Sequence, residues 1–279
     1  MSADAVIHPS SVIEPGAVLG DGVRVGPFCI VGSDVVLGSG VELISHVSIA
    51  GVTRIGNGCR IYPNAVLGME PQNLAHKGGR TTLTVGKNNV IRESVTIHTG
   101  SDSSRGATTV GDDCYIMAYS HIAHDCSVGN KVTMANGATL AGHCEIGDNV
   151  TIGGMTAVLQ FSRVGNNAFL AGMSGISGDV IPYGMAQGNL AKLRGLNVVG
   201  MRRAGMSRDE IKAVKDAYRA IFDRATPLAE NIERARGEFA GSALAMSIID
   251  FLSERGRRYF ITPPVRGGSD VGDGDDASD

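Results

Sequence analysis

VIHPSSVIEPGAVLGDGVRVGPFCIVG, residues 6–32, places an aliphatic residue at every sixth position. Stepping by six from Ile7 gives Ile13, Leu19, Val25 and Val31, then Leu37, Leu43, Ile49, Ile55, Ile61 and Leu67 without a miss. The phase resumes at Val85, Ile91 and Ile97, and runs again from Val110 to Ile176. Hexapeptide periodicity is a signature of a parallel β-helix, in which each short strand sends one aliphatic side chain into a narrow interior. Three hexapeptides close one triangular coil, so the pattern predicts roughly nine coils, stacked about 4.8 Å apart. The period leaves the hand of the coil open, and the general crossover rule for parallel strands favours the right hand.

A second inward position precedes each aliphatic by two residues: Ala17, Val23, Cys29, Val35, Val41, Val47, Thr53, Cys59 and Ala65 are all small enough for a narrow prism. The five cysteines, at 29, 59, 114, 126 and 144, share this phase. They are therefore expected as reduced core filling rather than as a disulfide framework or a metal site.

Composition agrees with a long regular coil. Among 279 residues there are 39 glycines, seven phenylalanines and no tryptophan, and 43% of the chain is hydrophobic. Glycine often follows the inward aliphatic, as at Gly26, Gly56, Gly111 and Gly147, where a sharp corner is needed. A formal charge of −3 without a basic recognition element argues against nucleic acid as a partner. No apolar run is long enough for a transmembrane segment and no signal segment opens the chain, so a cytoplasmic protein is expected.

Two stretches break the period, residues 68–84 and 98–109, and are expected to project as loops that wall a pocket. Residues 1–189 then form the β-helix domain. The pattern turns helical in SRDEIKAVKDAYRAIFDRA, where Ser207 and Glu210 form a capping-box signal and Ile211, Val214, Tyr218, Ile221 and Phe222 make one stripe. Further helices are expected across LAENIERARGEF and ALAMSIIDFLSERGRR, giving a C-terminal helical domain over 190–265. Residues 266–279 are acidic, with little to bury, and read as a disordered tail.

The chemistry concentrates in SHIAHDCSVGN, residues 120–130. His121 directly precedes the inward Ile122, and His124 and Asp125 follow it. One coil of 18 residues beyond Asp125 lies His143, at nearly the same lateral position. His124 can act as a base if one ring nitrogen faces a substrate and the other is held by an acidic or carbonyl partner, with Asp125 the nearest acid. A metal cluster of His121, His124, Asp125 and His143, and solvated surface histidines, compete with that reading. No paired carboxylates or nucleophile elbow stand out.

Local blocks make the pattern specific: VGPFCIVG at 25–32, IRESVTIHTG at 91–100, HIAHDCSVGN at 121–130, ATLAGH at 138–143, GGMTAV at 153–158 and AQGN at 186–189. Over residues 6 to about 260 the chain resembles the acyl-(acyl-carrier-protein)–UDP-N-acetylglucosamine O-acyltransferases of lipid A biosynthesis. The resemblance implies a left-handed parallel β-helix with a C-terminal α-helical domain, assembled as a homotrimer with pockets between adjacent prisms. It implies transfer of a 3-hydroxyacyl group from a phosphopantetheine thioester on acyl carrier protein to the glucosamine C3 position of a UDP-sugar, with no bound cofactor and no metal.

By the same resemblance His124 is the general base, Asp125 orients it, and the Gly142 N–H stabilises the oxyanion. Gln72, Asn73, His121, His143, Leu159, Gln160, Asn197 and Arg203 fall at substrate-binding positions. Gly172 and Met173 fall at the acyl-chain ruler, where the small Gly172 leaves room for a long chain. Arg163, Lys192, Arg194, Arg202 and Arg203 are candidates to steer an acidic carrier or bind UDP phosphates. Leu159 stands where familiar members carry histidine, Asn73 replaces an aspartate, Ala75 a lysine and His76 a tyrosine. These departures raise N-acyl transfer to a 3-amino analogue of the sugar as an alternative acceptor chemistry. A later acyltransferase of the same pathway and a noncatalytic hexapeptide scaffold complete the alternatives.

Overall fold

An inward aliphatic at every sixth residue requires the chain to turn a corner between one short strand and the next. The computed structural model describes residues 4–254 and 256–264, and most of its prism strands are two residues long, as at Val18–Leu19, Arg24–Val25 and Ile30–Val31. These strands stack into three sheets of 11, 9 and 8 strands, the three walls of a left-handed parallel β-helix. Pairing is in register at 18 residues, as in Val6 with Arg24, Val12 with Ile30 and Val18 with Val36. The right-hand preference of parallel crossovers arises where a helix packs back on its sheet. Here the connections are tight corners, many of them with a non-glycine residue in the left-handed region, including Tyr119, Asp125, His143, Met155, Phe161 and Met173, all between φ 57 and 64°.

Stacking in register puts like on like in the interior. Leu37, Leu43, Ile49, Ile61, Leu67, Ile91, Ile97, Ile116, Ile122 and Leu140 are fully buried, and the second inward position follows, with all five cysteines buried and free. Burying each such aliphatic contributes about 1.5–3 kcal/mol, and the narrow prism repeats this on every wall. At one edge an Asn/Asp ladder ties the coils together. The backbone N–H groups of Asp112, Asn130 and Asp148 donate to the side-chain oxygens of Asn130, Asp148 and Asn166, at 2.9, 2.6 and 2.8 Å. The preceding glycines make room for it: a Cβ on Gly129 would sit 2.5 Å from Asp148 Oδ1 and one on Gly147 2.3 Å from Asn166 Oδ1.

The two interruptions are shorter than the sequence implied. Strands Val66–Met69 and Thr82–Val85 flank the first and Thr96–His98 and Ala107–Val110 the second, so residues 70–81 and 99–106 form the excursions. Extended strands at these points let each excursion leave and rejoin the wall in register, with Leu83 paired to both Thr53 and Thr108.

The helical region also begins later than residue 190. Lys192–Leu196 is a strand, antiparallel to Gly184–Gln187, and it caps the 11-stranded sheet. Among the described residues four helices follow, α1 (Val198–Arg203), α2 (Arg208–Ile221), α3 (Leu228–Glu238) and α4 (Ala243–Ser253). The Ser207–Glu210 capping box is complete, and Ile211, Val214 and Ile221 are buried along α2. Asn231, fully buried, fastens the α2–α3 turn by donating to the carbonyls of Ile221, Asp223 and Thr226.

Helix α4 ends at Ser253, short of the helix expected through Arg258, and the chain returns to the prism. There Asp179 N–H donates to Tyr259 O and Ile261 N–H to Asp179 O, each at 2.8 Å. The expected acidic tail, 266–279, lies outside the described residues. Among those described, no helix is long and apolar enough to cross a membrane.

Candidate active site

The edge between the nine- and eight-stranded sheets carries the histidines. Strand His121–Ile122 leads into the corner Ala123–His124–Asp125, and the coils above repeat it at Gly142–His143 and Gln160–Phe161. Left-handed backbone at Asp125, His143 and Phe161 (φ 60, 64 and 64°) aligns these three residues as a column along the edge.

Within the column His124 Nδ1 lies 2.8 Å from Asp125 Oδ2, although the two residues are chain neighbours. The Asp125 side chain is fully buried, and loop 99–106 wraps it: Ser101 N–H donates to Oδ2 at 3.1 Å and Gly106 N–H to Oδ1 at 2.9 Å. Backbone N–H groups only donate, so the carboxylate acts as acceptor and His124 Nδ1 carries the proton of the dyad. Nε2 is then the ring nitrogen with a free lone pair. The imidazole lies against Gly142, where a Cβ would stand 2.7 Å from Cε1 and 2.8 Å from Nε2. His143 meets it edge-on, with centroids 5.0 Å apart, and donates its own backbone N–H to His124 O at 3.0 Å.

His121 Nδ1 lies 2.7 Å from Thr96 Oγ1, and its ring meets His98 edge-on at 5.2 Å. His98 Nδ1 is buried without a partner. Burial, reinforced by neighbouring imidazoles, pushes His121 down to about 4, and burial likewise lowers His98. His143 is lowered mainly by burial, with Asp125 opposing and His124, Arg257 and Arg105 acting in the same direction as burial. The three other histidines of this cluster, His98, His121 and His143, are therefore neutral at neutral pH. A cleft of about 470 Å³ opens beside it, lined among others by Ser104, Arg105, Asp125, His143, Phe161 and Arg257.

His124, Asp125 and His143 also place one ligand atom each within 4.8 Å of one another. Asp125 Oδ2, however, is engaged by His124 and Ser101, the arrangement of a hydrogen-bonded dyad rather than of an open ligand set.

The other expected positions separate in an orderly way. Asn73 fastens loop 70–81 to loop 99–106, donating to Ser101 Oγ at 3.2 Å and accepting from Ala75 N–H at 3.0 Å. His76 is 3.1 Å from Asp102, which also accepts from the N–H groups of Lys77 and Gly79. Asn73 and His76, two of the four departures from the resembled pattern, thus hold the loop that holds Asp125. Gln72 is exposed, as are Leu159 and Gln160 one coil above Gly142.

Gly172 and Met173 lie on a second edge, continuing the column of Tyr119, Gly137 and Met155. Asn197 and Arg203 lie on the third, in a cleft of about 490 Å³ with Lys131, Asn149 and Asn167, where Asn197 caps α1 and donates to Asn167 O at 2.9 Å. One chain therefore does not bring these four residues to His124. Arg163 is no free steering charge, because it is bonded to the buried Asp179 at 2.8 Å and stacks on Phe251.

Sequence reading missed Ser101 and Gly106, whose backbone amides leave no side-chain signal, and Arg257. Phe161 was reachable, since it lies one coil above His143.

The depressed histidines set an acid limit on stability. Their folded pKa values lie below the ordinary value near 6.5, so the unfolded chain binds more protons and stability is lost as pH falls from about 6.5 towards 4. A His121→Asn variant, which keeps a polar partner for Thr96, is expected to show a shallower fall in Tm over that window; an unchanged slope in thermal denaturation would exclude His121 as a source.

Known proteins share this architecture. A profile described as bacterial transferase hexapeptide (six repeats) matches residues 107–142, and one for UDP N-acetylglucosamine O-acyltransferase, domain 2, matches residues 179–260. An acyl-(acyl-carrier-protein)–UDP-N-acetylglucosamine O-acyltransferase of Mesorhizobium japonicum is 59% identical over 236 residues, covering 85% of this chain and 83% of the relative. A protein of the same description from Caulobacter vibrioides is 53% identical over 220 residues, 79% of this chain and 84% of its own. The solved UDP-N-acetylglucosamine acyltransferase of Campylobacter jejuni superposes with a TM-score of 0.88 at 38% identity, over 92% of this chain and all of that one. The enzyme of Moraxella catarrhalis superposes with the same score at 39% identity, over 91% and 99%. Identity at this level across most of both chains, on a shared prism and helical cap, places this chain in the acyl-(acyl-carrier-protein)–UDP-N-acetylglucosamine O-acyltransferase family.

Proposed function

We propose that the protein transfers a 3-hydroxyacyl group from the phosphopantetheine thioester of acyl carrier protein to the C3 hydroxyl of UDP-N-acetylglucosamine, with His124 as general base. The observation that carries this reading is the buried His124–Asp125 pair, with Nε2 over Gly142. A sugar hydroxyl is a weak nucleophile at neutral pH. Nε2 takes its proton as the oxygen attacks the thioester carbonyl, and the imidazolium that forms is stabilised by Asp125 through Nδ1–H. Negative charge grows on the carbonyl oxygen at the same moment. The Gly142 N–H, which donates to no acceptor among the described residues, is the donor assigned to it. Collapse of the tetrahedral intermediate forms the ester and expels the phosphopantetheine thiolate, which takes the proton held by His124.

The working unit is a homotrimer. Support comes from the separation of the remaining positions: Gly172 and Met173 on one edge and Asn197 and Arg203 on another can serve the same substrate as His124 only if another copy presents them. Three-fold closure follows the family resemblance and suits flat prism walls. Light scattering on the purified protein is expected to give three chain masses, and a monomer with full activity would overturn the shared site.

The transfer is tested with 3-hydroxyacyl carrier protein and either UDP-N-acetylglucosamine or its 3-amino analogue, the products being weighed by mass spectrometry. Ester from the hydroxyl sugar is expected, with kcat/KM reduced about 10²–10⁴-fold in His124→Ala, the range that loss of a positioned general base typically costs. Amide as the sole product would reassign the acceptor, and an active His124→Ala enzyme would remove the base.

A further inference from the structure

Phe161 and Arg257 have no part in the proton transfer, yet Phe161 packs on the residue that walls His124 and Arg257 lies over Phe161. Phe161 stacks face to face on His143, with centroids 4.4 Å apart and an interplanar angle of 9°. The Arg257 guanidinium carbon lies 4.6 Å from the Phe161 ring centroid. His143 in turn meets His124 edge-on at 5.0 Å. A stacked pair and a cation over a ring each favour one orientation of the aromatic plane beyond simple burial.

Arg257 is itself carried by a fixed segment. Its neighbour Arg258 donates through Nε to Gln160 O at 2.8 Å, and Arg163 donates to Glu254 O at 2.7 Å on the other side. Gly256 fits between them without a side chain, because a Cβ would stand 2.6 Å from both Arg163 Nε and Asp179 Oδ2. The Ser177 and Tyr259 hydroxyls are hydrogen-bonded, and Asp179 exchanges backbone bonds with Tyr259 and Ile261. The segment returning from α4 is thus strapped to the coil that carries Phe161.

We propose that Phe161 and Arg257 are positioning residues for acyl transfer: Arg257, held by the returning C-terminal segment, keeps Phe161 flat on His143, and His143 fixes the edge of His124. Docking of the helical domain and alignment of the base are then one event. This inference rests on His124 being the base.

The groups facing His143 are Asp125 and His124 from the coil below, Ser104 and Arg105 from loop 99–106, and Arg257 from the returning segment. Burial is the main cause that keeps His143 neutral and Arg257 adds to it, so removing the Arg257 charge lets protonation there begin at higher pH. The test uses the full chain as Phe161→Leu, Phe161→Tyr, Arg257→Gln and Arg257→Lys, with kcat and KM measured across pH beside Tm, and His124→Ala in parallel.

Phe161→Leu is expected to lower kcat about tenfold with KM within about twofold, a loss in the range that a slightly misplaced catalytic group produces. Arg257→Gln is expected to move the acid limb of kcat/KM to higher pH, while Phe161→Tyr and Arg257→Lys restore most of the rate. A merely structural role would lower Tm without moving that limb. A folded Phe161→Leu enzyme with wild-type kcat overturns the proposal, as does an unmoved acid limb in Arg257→Gln. Should Phe161→Leu fail to fold, the exposed Arg257→Gln decides alone. An active His124→Ala enzyme would instead remove the base on which the proposal rests.

Discussion

Each coil sets its inward aliphatic directly on the one beneath, and this register determines where every outward residue can be. Because partners recur at 18 residues, Asp125, His143 and Phe161 form one vertical column although they are distant in sequence. A slip of one residue in a strand would exchange inward and outward positions along that wall. Burial on three walls therefore fixes the lateral placement of this column, and no separate scaffold is needed for it. The corners supply the rest, since left-handed backbone at Asp125 lets adjacent His124 and Asp125 side chains meet as a hydrogen-bonded pair.

The two excursions complete what a regular prism cannot provide. A bare coil edge would leave Asp125 open to water, whereas loop 99–106 brings two backbone amides to its carboxylate and loop 70–81 is fastened behind it through Asn73, His76 and Asp102. Two of the residues that depart from the resembled pattern, Asn73 and His76, supply this fastening. Leu159, where the resembled pattern carries histidine, is 43% exposed on the same edge. Arg163, which looked like a charge for a partner, joins the prism to the helical cap instead, bonded to a buried carboxylate and flanked by aromatic rings.

Much of this was legible in the sequence because a six-residue period is long-range information written locally. The inward phase, the cysteine column, the capping box at Ser207 and the stacking of His143 over Asp125 all follow from counting. What escaped has a common cause. Contacts made by backbone amides at Ser101 and Gly106, the antiparallel strand Lys192–Leu196, and the approach of Arg257 to Phe161 depend on where irregular segments return to the prism. No period records that return. The division of the expected substrate positions over three edges was hidden for a different reason, since it becomes visible only when the corners are drawn in space.

Asp125 holds His124 as the tautomer with a proton on Nδ1 and a bare Nε2. Nitrogen NMR of protein labelled in its histidine side chains, with His124 assigned by comparison with His124→Ala, reads this directly. In the uncharged His124 ring the signal pair is expected to show Nδ1 protonated and Nε2 carrying the lone pair. A proton on Nε2 in place of Nδ1 would contradict it.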